Sequence, residues 1–343
     1  MFQRILVPLD GSARAEHAIP VAIRLARASG GTIVFVYIVH PQSEIGEYGP
    51  EDEAMGVPPN AYEKHLVGAE HYLQQMTTLF ANDLAGVHVE QEVDTGAKAA
   101  TIFSIARMEH IDLIVLCSHG GHDLFHWVFR SIAREAVHHS PVPILVLKES
   151  GGLFLASHQT QPLRMLVPLD GSHLAEAALQ PALRLLTVLA APGQGEMHLV
   201  QVVDLPSIEG KTLLRAYDIS HEQEHAIQEA EDYLKGMAHR LSETMPADSR
   251  PLITWSLMVS NHVARTLTEM VKNLAEDEQE HSYDLLAMAT HGRTGFQLLR
   301  LGSVTEHLLG ATDLPLLIVR PPQPVGQPEH EAGMQAKREI EMH

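Results

Sequence analysis

The sequence predicts an α/β protein made of two tandem doubly wound domains, each a five-stranded parallel sheet flanked by about four helices. Three observations predict it. The string RILVPLDGS at residues 4–12 returns as RMLVPLDGS at 164–172, 160 positions later. The ends of the copies, HSPVPILVLK at 139–148 and ATDLPLLIVR at 311–320, lie 172 positions apart, so about twelve residues were added inside the second copy. Solenoid units run only about 20 to 50 residues, so a repeat of this length is a whole domain. Within each copy, short apolar runs alternate with segments of helical period, the order that yields parallel strands joined by crossover helices.

In the first copy, Ile5 to Leu9 is an apolar strand closed by Asp10-Gly11-Ser12, and Ala15, Ala18, Ile19, Ala22 and Leu25 then recur at helical spacing. TIVFVYIV at 32–39 is apolar and rich in β-branched residues, as expected of a strand covered on both faces. Residues 41–60, rich in Pro, Gly and Glu, read as a loop. There follow a helix over 61–84, a strand over 87–94, a helix over 97–109 and a strand from Asp112 to Cys117. A loop to Arg130, a helix from Ser131 and a last strand from Pro143 to Leu147 complete the copy.

The second copy repeats the order, with strands near 164–169, 196–203, 251–258, 284–289 and 315–319. The domains are placed at 1–149 and 163–321, joined by ESGGLFLASHQTQP (149–162), with a Pro-rich, then charged, tail over 322–343 expected to be disordered. The acidic run Glu276, Asp277, Glu278 and Glu280 reads as a solvated loop.

Composition narrows the function classes. Apolar content of 45% and charge of 20% are globular values, and no apolar run approaches the roughly 18 residues of a membrane helix. A net charge of −19 with no Lys/Arg cluster disfavours nucleic acid as a partner. Any bound anion must then be held by backbone amides and a helix N-terminus. One cysteine, Cys117, excludes an intrachain disulfide, and MFQRILVPLD leads straight into the repeated strand, so the expected location is cytoplasmic. The 23 histidines would cut the negative charge between pH 7 and 5, because free imidazole titrates near pH 6.5.

In doubly wound sheets, ligands bind beyond the carboxyl ends of the strands where strand order reverses. After its fourth strand the second copy reads Ala289-Thr290-His291-Gly292-Arg293-Thr294-Gly295, then reaches Gly302-Ser303 and a helix. Glycines permit close approach by a ligand, and Ser303-Val304-Thr305-Glu306 fits a capping box whose free amides would face a phosphate.

With these motifs the chain resembles the universal stress protein family, specifically its tandem-domain members, whose domains have the adenine nucleotide alpha hydrolase-like fold. The likeness covers both halves: ILVPLDGS with MLVPLDGS, DLIVLCSHG with DLLAMATHG, the glycine loop, and PVPILVLK with DLPLLIVR. The family's ATP-binding members carry Gly, two residues, Gly, nine residues, Gly and Ser/Thr. That pattern maps here to Ala289, Gly292, Gly302 and Ser303, with the first glycine replaced by another small residue. The resemblance implies that Pro168 and Asp170 approach the ribose and the metal-phosphate region, and that the backbone of Val202 binds adenine. Gly292, Gly302, Ser303 and Val304 would hold the phosphates. Asp170 equally suits a turn-forming role before Gly171.

The first half departs from the pattern. Its corresponding set is Pro8, Asp10, Ile38, Gly120, Arg130 and Ser131, with Asp123 where the second half has Gly295 and Arg130 where it has Gly302. An aspartate beside a phosphate repels it, and a Cβ at residue 130 obstructs close approach, whereas the guanidinium could grip a phosphate as a bidentate donor. The first site is expected to be weak or empty.

Other chemistries fare worse. No GxxxxGK[ST], GxGxxG or GxSxG string occurs. His221-Glu222-Gln223-Glu224-His225 matches the HExxH zinc signature, but chance yields such a string in roughly one chain of eight at this composition. The first half has Asn60 and Lys64 at the histidine positions, so the segment reads as an ordinary repeat helix. His119, His122 and His126 read as exposed loop histidines, and no metal site is assigned from either group.

The function expected is ATP binding, with AMP as the alternative and Mg as companion ion, mainly in the second half, by a regulatory stress-response protein with no catalytic residues assigned. A nucleotide-independent interaction module and a slow ATP hydrolase or phosphotransferase are the rivals. The resemblance also implies that the last strands of the two halves pair across a pseudo-twofold, one chain forming an intrachain pseudo-dimer. Protein partners, and a homodimer of such chains, are left open.

Overall fold

The computed structural model describes residues 2–39, 59–118, 139–148, 162–190, 194–204, 213–245, 251–273, 283–290 and 303–321. The first half contributes β1 (Arg4–Leu9), α1 (Ala13–Glu16), α2 (Ala18–Ser29), β2 (Thr32–Val39), α3 (Pro59–Leu79), β3 (His88–Thr95), α4 (Lys98–Met108), β4 (Leu113–Ser118) and β5 (Ile144–Lys148). The second contributes β6 (Leu163–Leu169), α5 (His173–Glu176), α6 (Leu179–Ala190), β7 (Gly195–Val203), α7 (Leu213–Glu243) and β8 (Leu252–Val259). It closes with α8 (Val263–Asn273), β9 (Leu285–Ala289), α9 (Ser303–Ala311) and β10 (Leu316–Val319).

The strands form one ten-stranded sheet in the order β3-β2-β1-β4-β5-β10-β9-β6-β7-β8. Neighbours within each half are parallel, as the alternating pattern predicts. The halves meet where β5 and β10 run antiparallel, Leu317 opposite Leu145. That is the pairing expected of the two terminal strands.

Alternation along the central strands divides the core into two layers. Ile5, Val7 and Leu9 join α2 and α3 on one face, and their counterparts Met165, Val167 and Leu169 join α6 and α7. Leu6 and Leu166 point the other way, toward α4, α8 and α9. Each layer runs unbroken through both halves, because Leu145 and Leu317 belong to one and Ile144, Val146, Leu316 and Ile318 to the other.

The repeated arginine of the RILVPLDGS string is structural. Arg4 lies at the start of β1, remote from the strand's carboxyl end, and pairs with Glu90 at 2.6 Å and Glu109 at 3.0 Å. Arg164 pairs with Glu196 at 3.0 Å. Asp112 and Asp284 accept from the main-chain amides of Arg4 and Arg164 at 3.3 and 2.7 Å, fastening the fourth strand of each half to its first.

Two elements differ from expectation. The helix after β1 is split at His17 into α1 and α2, the first N-capped by Ser12, whose hydroxyl accepts from the Ala15 amide at 3.2 Å. The helix expected to reach residue 84 stops at Leu79, because Asn82 and Asp83 favour turns and Gly86 takes φ +81°, giving tight three-residue bonds such as Val87 N to Leu84 O at 2.8 Å. No helix among the described residues is long and apolar enough to cross a membrane. The linker, the acidic run and the tail lie outside the described residues, except Pro162 at the linker's end.

Candidate functional site

The order 3-2-1-4-5 reverses direction between β1 and β4, and its counterpart does so between β6 and β9. There the ladder is short. It holds only Ile5–Leu113 and Leu6–Ile114 in the first half, and Met165–Leu285 and Leu166–Leu286 in the second, although all four strands run on past it. A crevice therefore opens at the carboxyl ends.

Pro8 and Pro168 stand at this opening for a reason legible in the hydrogen bonds. Main-chain groups of successive strand residues point to opposite sides. The carbonyl of Arg4 accepts from Asp112, so those of Leu6 and Pro8 also face β4. By the same parity, with Asp284 donating to Arg164, Pro168 faces β9. A residue without an N–H sits where the ladder has already ended, so no ladder bond is lost.

Ile38 and Val202 are placed by the same reasoning. β2 and β7 outrun their inner neighbours, the last pairs being Leu9–Tyr37 and Leu169–Gln201. Val39 O accepts from Gly96 N at 3.2 Å and Val203 O from Ser260 N at 3.0 Å, both toward the sheet edge. The N–H and C=O of Ile38 and Val202 consequently face inward, over the ends of β1 and β6. The last pairs engage the two amides with Leu9 O and Leu169 O, so each residue presents its carbonyl to the mouth.

Asp10 and Asp170 form turns. In each, Oδ1 accepts the amide of the serine two residues on at 3.0 Å, and its hydroxyl at 2.5 Å for Ser12 and 2.6 Å for Ser172. Gly11 and Gly171 between them take φ of +81° and +80°, a conformation glycine adopts without strain. The halves then diverge. Arg14 donates to Asp10 Oδ2 at 3.2 Å, while the repeat places Leu174 at the corresponding position. Tyr37, near the Gly11 turn, gives way to buried Gln201.

Behind each turn stands a tyrosine from the long helix. Tyr72 donates to Glu16 at 3.0 Å, and burial, reinforced by Glu16, pushes its hydroxyl well above the usual range. Tyr233 occupies the same place, raised by burial and then by Glu176 and Asp170.

On the other side of the second mouth, Thr290 N donates to Val319 O on β10, so the carbonyl of Ala289 faces β6. Buried Thr305, in the first turn of α9, donates its hydroxyl to that carbonyl at 3.2 Å. Val304 packs against the α8–α9 layer. Ser303 is the first helical residue, one position inside where a capping box would set it. Its side chain and Gly292 and Gly302 lie outside the described residues, as do Gly120, Arg130 and Ser131 of the first half.

The HExxH string lies on α7, an uninterrupted helix of 31 residues. His225 is exposed and faces Glu229 at 3.5 Å, and the side chain of His221 lies outside the described residues, as do His119, His122 and His126. Among the described residues, no three His, Cys, Asp or Glu side chains gather to hold a metal ion. Reading the sequence missed Thr305 as a cross-brace and Arg14 as a partner of Asp10. The 160-residue alignment, which sets Arg14 against Leu174, was the available signal for the second.

Comparison with known proteins agrees with this layout. The universal stress protein family profile matches twice, at residues 1–148 and 163–320. Two universal stress proteins of Methanocaldococcus jannaschii are similar to parts of the chain. MJ0531 is 25% identical over 166 residues, 47% of this chain and 83% of that protein. MJ0577 is 26% identical over 159 residues, 46% of this chain and 94% of that protein. The crystal structure of a universal stress protein from Archaeoglobus fulgidus shares the fold, with a TM-score of 0.59 at 16% identity, covering 92% of this chain and 98% of that one. With a profile match over each half and the same strand reversal built twice into one sheet, the chain belongs to the universal stress protein family.

Proposed function

We propose that the second half binds an adenine nucleotide at the mouth between β6 and β9, and that the protein acts as a nucleotide-responsive regulator in stress response rather than as a dedicated catalyst. The observation that carries this reading is the inward-facing carbonyl of Val202, an acceptor held beyond the end of β6. The amino group of adenine offers the complementary donor. Pro168 and Asp170 would flank the ribose, and α9 would turn its N-terminal amides to the phosphates, with Gly292, Gly302, Ser303 and Val304 as the cradle. Mg would neutralise phosphate charge, and Asp170 would be the carboxylate to share it. The residues fit such a group: the proline leaves the crevice wall without a competing donor, and Ala289 is small.

The chemistry supports binding over turnover. Asp170 Oδ1 already accepts two bonds from Ser172, so this oxygen is committed to the turn and ill suited to take a proton from water.

The first half is proposed as a weaker or silent site. Arg14 draws on the Asp10 carboxylate, and Arg130 replaces the glycine of the motif. The proposed units are residues 1–149 and 163–321, with 322–343 as a tail, in the cytoplasm. The β5–β10 seam would then make one chain the equivalent of a dimer.

A thermal shift with Mg-ATP tests the proposal. A ligand at 100 times its dissociation constant stabilises by roughly 2.7 kcal/mol. A rise in Tm supports the reading, and an unchanged Tm at millimolar ATP favours an interaction module that ignores nucleotides.

A further inference from the structure

We propose that Lys148 of the first half is a positioning residue for the phosphate-bearing helix of the second, so that one half tunes nucleotide affinity in the other without touching the ligand. This rests on the adenine-nucleotide reading of the second half.

Lys148 ends β5 and is 6% exposed. Its Nζ donates to the carbonyl of Leu309 at 2.8 Å, in the last turn of α9. Carbonyls of a last helical turn lack intrahelical donors and form the negative pole of the helix, so a cation there is favourable. Burial pushes the ammonium toward losing its proton, and Asp313, just past the helix, opposes that loss. The first turn of the same helix is held by Thr305 on Ala289. A nine-residue helix is about 14 Å long and moves as a rod, so a shift at Leu309 is delivered to the amides at its start.

The seam carries another such contact. Arg24 of α2 donates to the carbonyl of Leu189 in the last turn of α6, a second cation of the first half on a helix end of the second. Its repeat counterpart, Arg184, is exposed. The β5–β10 ladder fixes the distance across which Lys148 reaches.

Isothermal titration of the full chain with ATP and, separately, with adenosine tests this in wild type, Lys148→Met and Lys148→Arg. Adenosine lacks the phosphates that α9 would meet. Lys148→Met is expected to weaken ATP about tenfold and adenosine less than about twofold, and Lys148→Arg to recover most of the loss. Equal weakening of both ligands, or of neither, overturns the proposal, because a merely loosened fold loses both. A wild-type chain that takes up neither ligand means that the nucleotide reading itself has failed. Should Lys148→Met not fold, the ε-methylene NMR signal of Lys148 in wild type decides: it moves with saturating ATP and not with adenosine. A signal that ATP leaves in place overturns the proposal.

Discussion

The hydroxyl of Thr305 donates to the carbonyl of Ala289 at 3.2 Å, tying the first turn of α9 to the end of β9 inside the crevice where the second half reverses its strand order. Thr305→Val keeps the shape and removes the donor from a buried carbonyl. It is expected to cost about 1–2 kcal/mol of stability and to weaken ATP, measurable by urea unfolding and by calorimetry.

The parity of β7 yields a second expectation. Val202 spends its amide on Leu169 O in the last β6 pair, and Val203 is bonded outward to β8. Val202→Pro and Val203→Pro should therefore each remove one ladder bond and cost about 1–3 kcal/mol of stability. Urea unfolding of each variant against wild type, followed by circular dichroism, checks both.

Much of this was legible in the sequence. The duplicated string located both first strands, and the apolar runs located most of the rest within a residue or so, because fully covered strands tolerate few polar residues, whereas the edge strand β3, HVEQEVDT, is largely polar. The crevice could be placed by topology. What the sequence withheld were contacts set by distant elements. Nothing about Thr305 announced that its hydroxyl would meet Ala289, and a capping box predicted a different use of that turn. The helical spacing of Ala15 and Ala18 says nothing of Arg14, which donates to Asp10 across the turn. The split at His17 and the early end of α3 were likewise hidden, since both pieces keep the helical period.

His198 carries a pH expectation. It lies between Thr254 and Ser256, each at 2.8 Å, and burial lowers its pKa below the usual 6.5, with Glu196 opposing and Arg164 adding to the shift. The folded state thus prefers the neutral ring, so this contribution is complete above pH 6.5 and is lost as pH falls toward the folded-state pKa. His198→Gln should flatten that part of the stability profile. The check is wild type and variant unfolded by urea at pH 7.5 and 5.5, with the gap between them narrowing at the lower pH.

The shared core layers bear on cooperativity. Leu317 is fully buried on β10, opposite Leu145 of the other half. Leu317→Ala should cost about 2–5 kcal/mol and lower one common calorimetric transition. Two transitions, only one of them shifted, would show that the halves melt independently.

The central claim is that the second half holds one adenine nucleotide per chain. Titration calorimetry with Mg-ATP on wild type, Gly302→Arg and Gly120→Ala tests it most directly. The account predicts a single site, abolished by Gly302→Arg and kept by Gly120→Ala; no heat from wild type, or binding that survives Gly302→Arg, contradicts it.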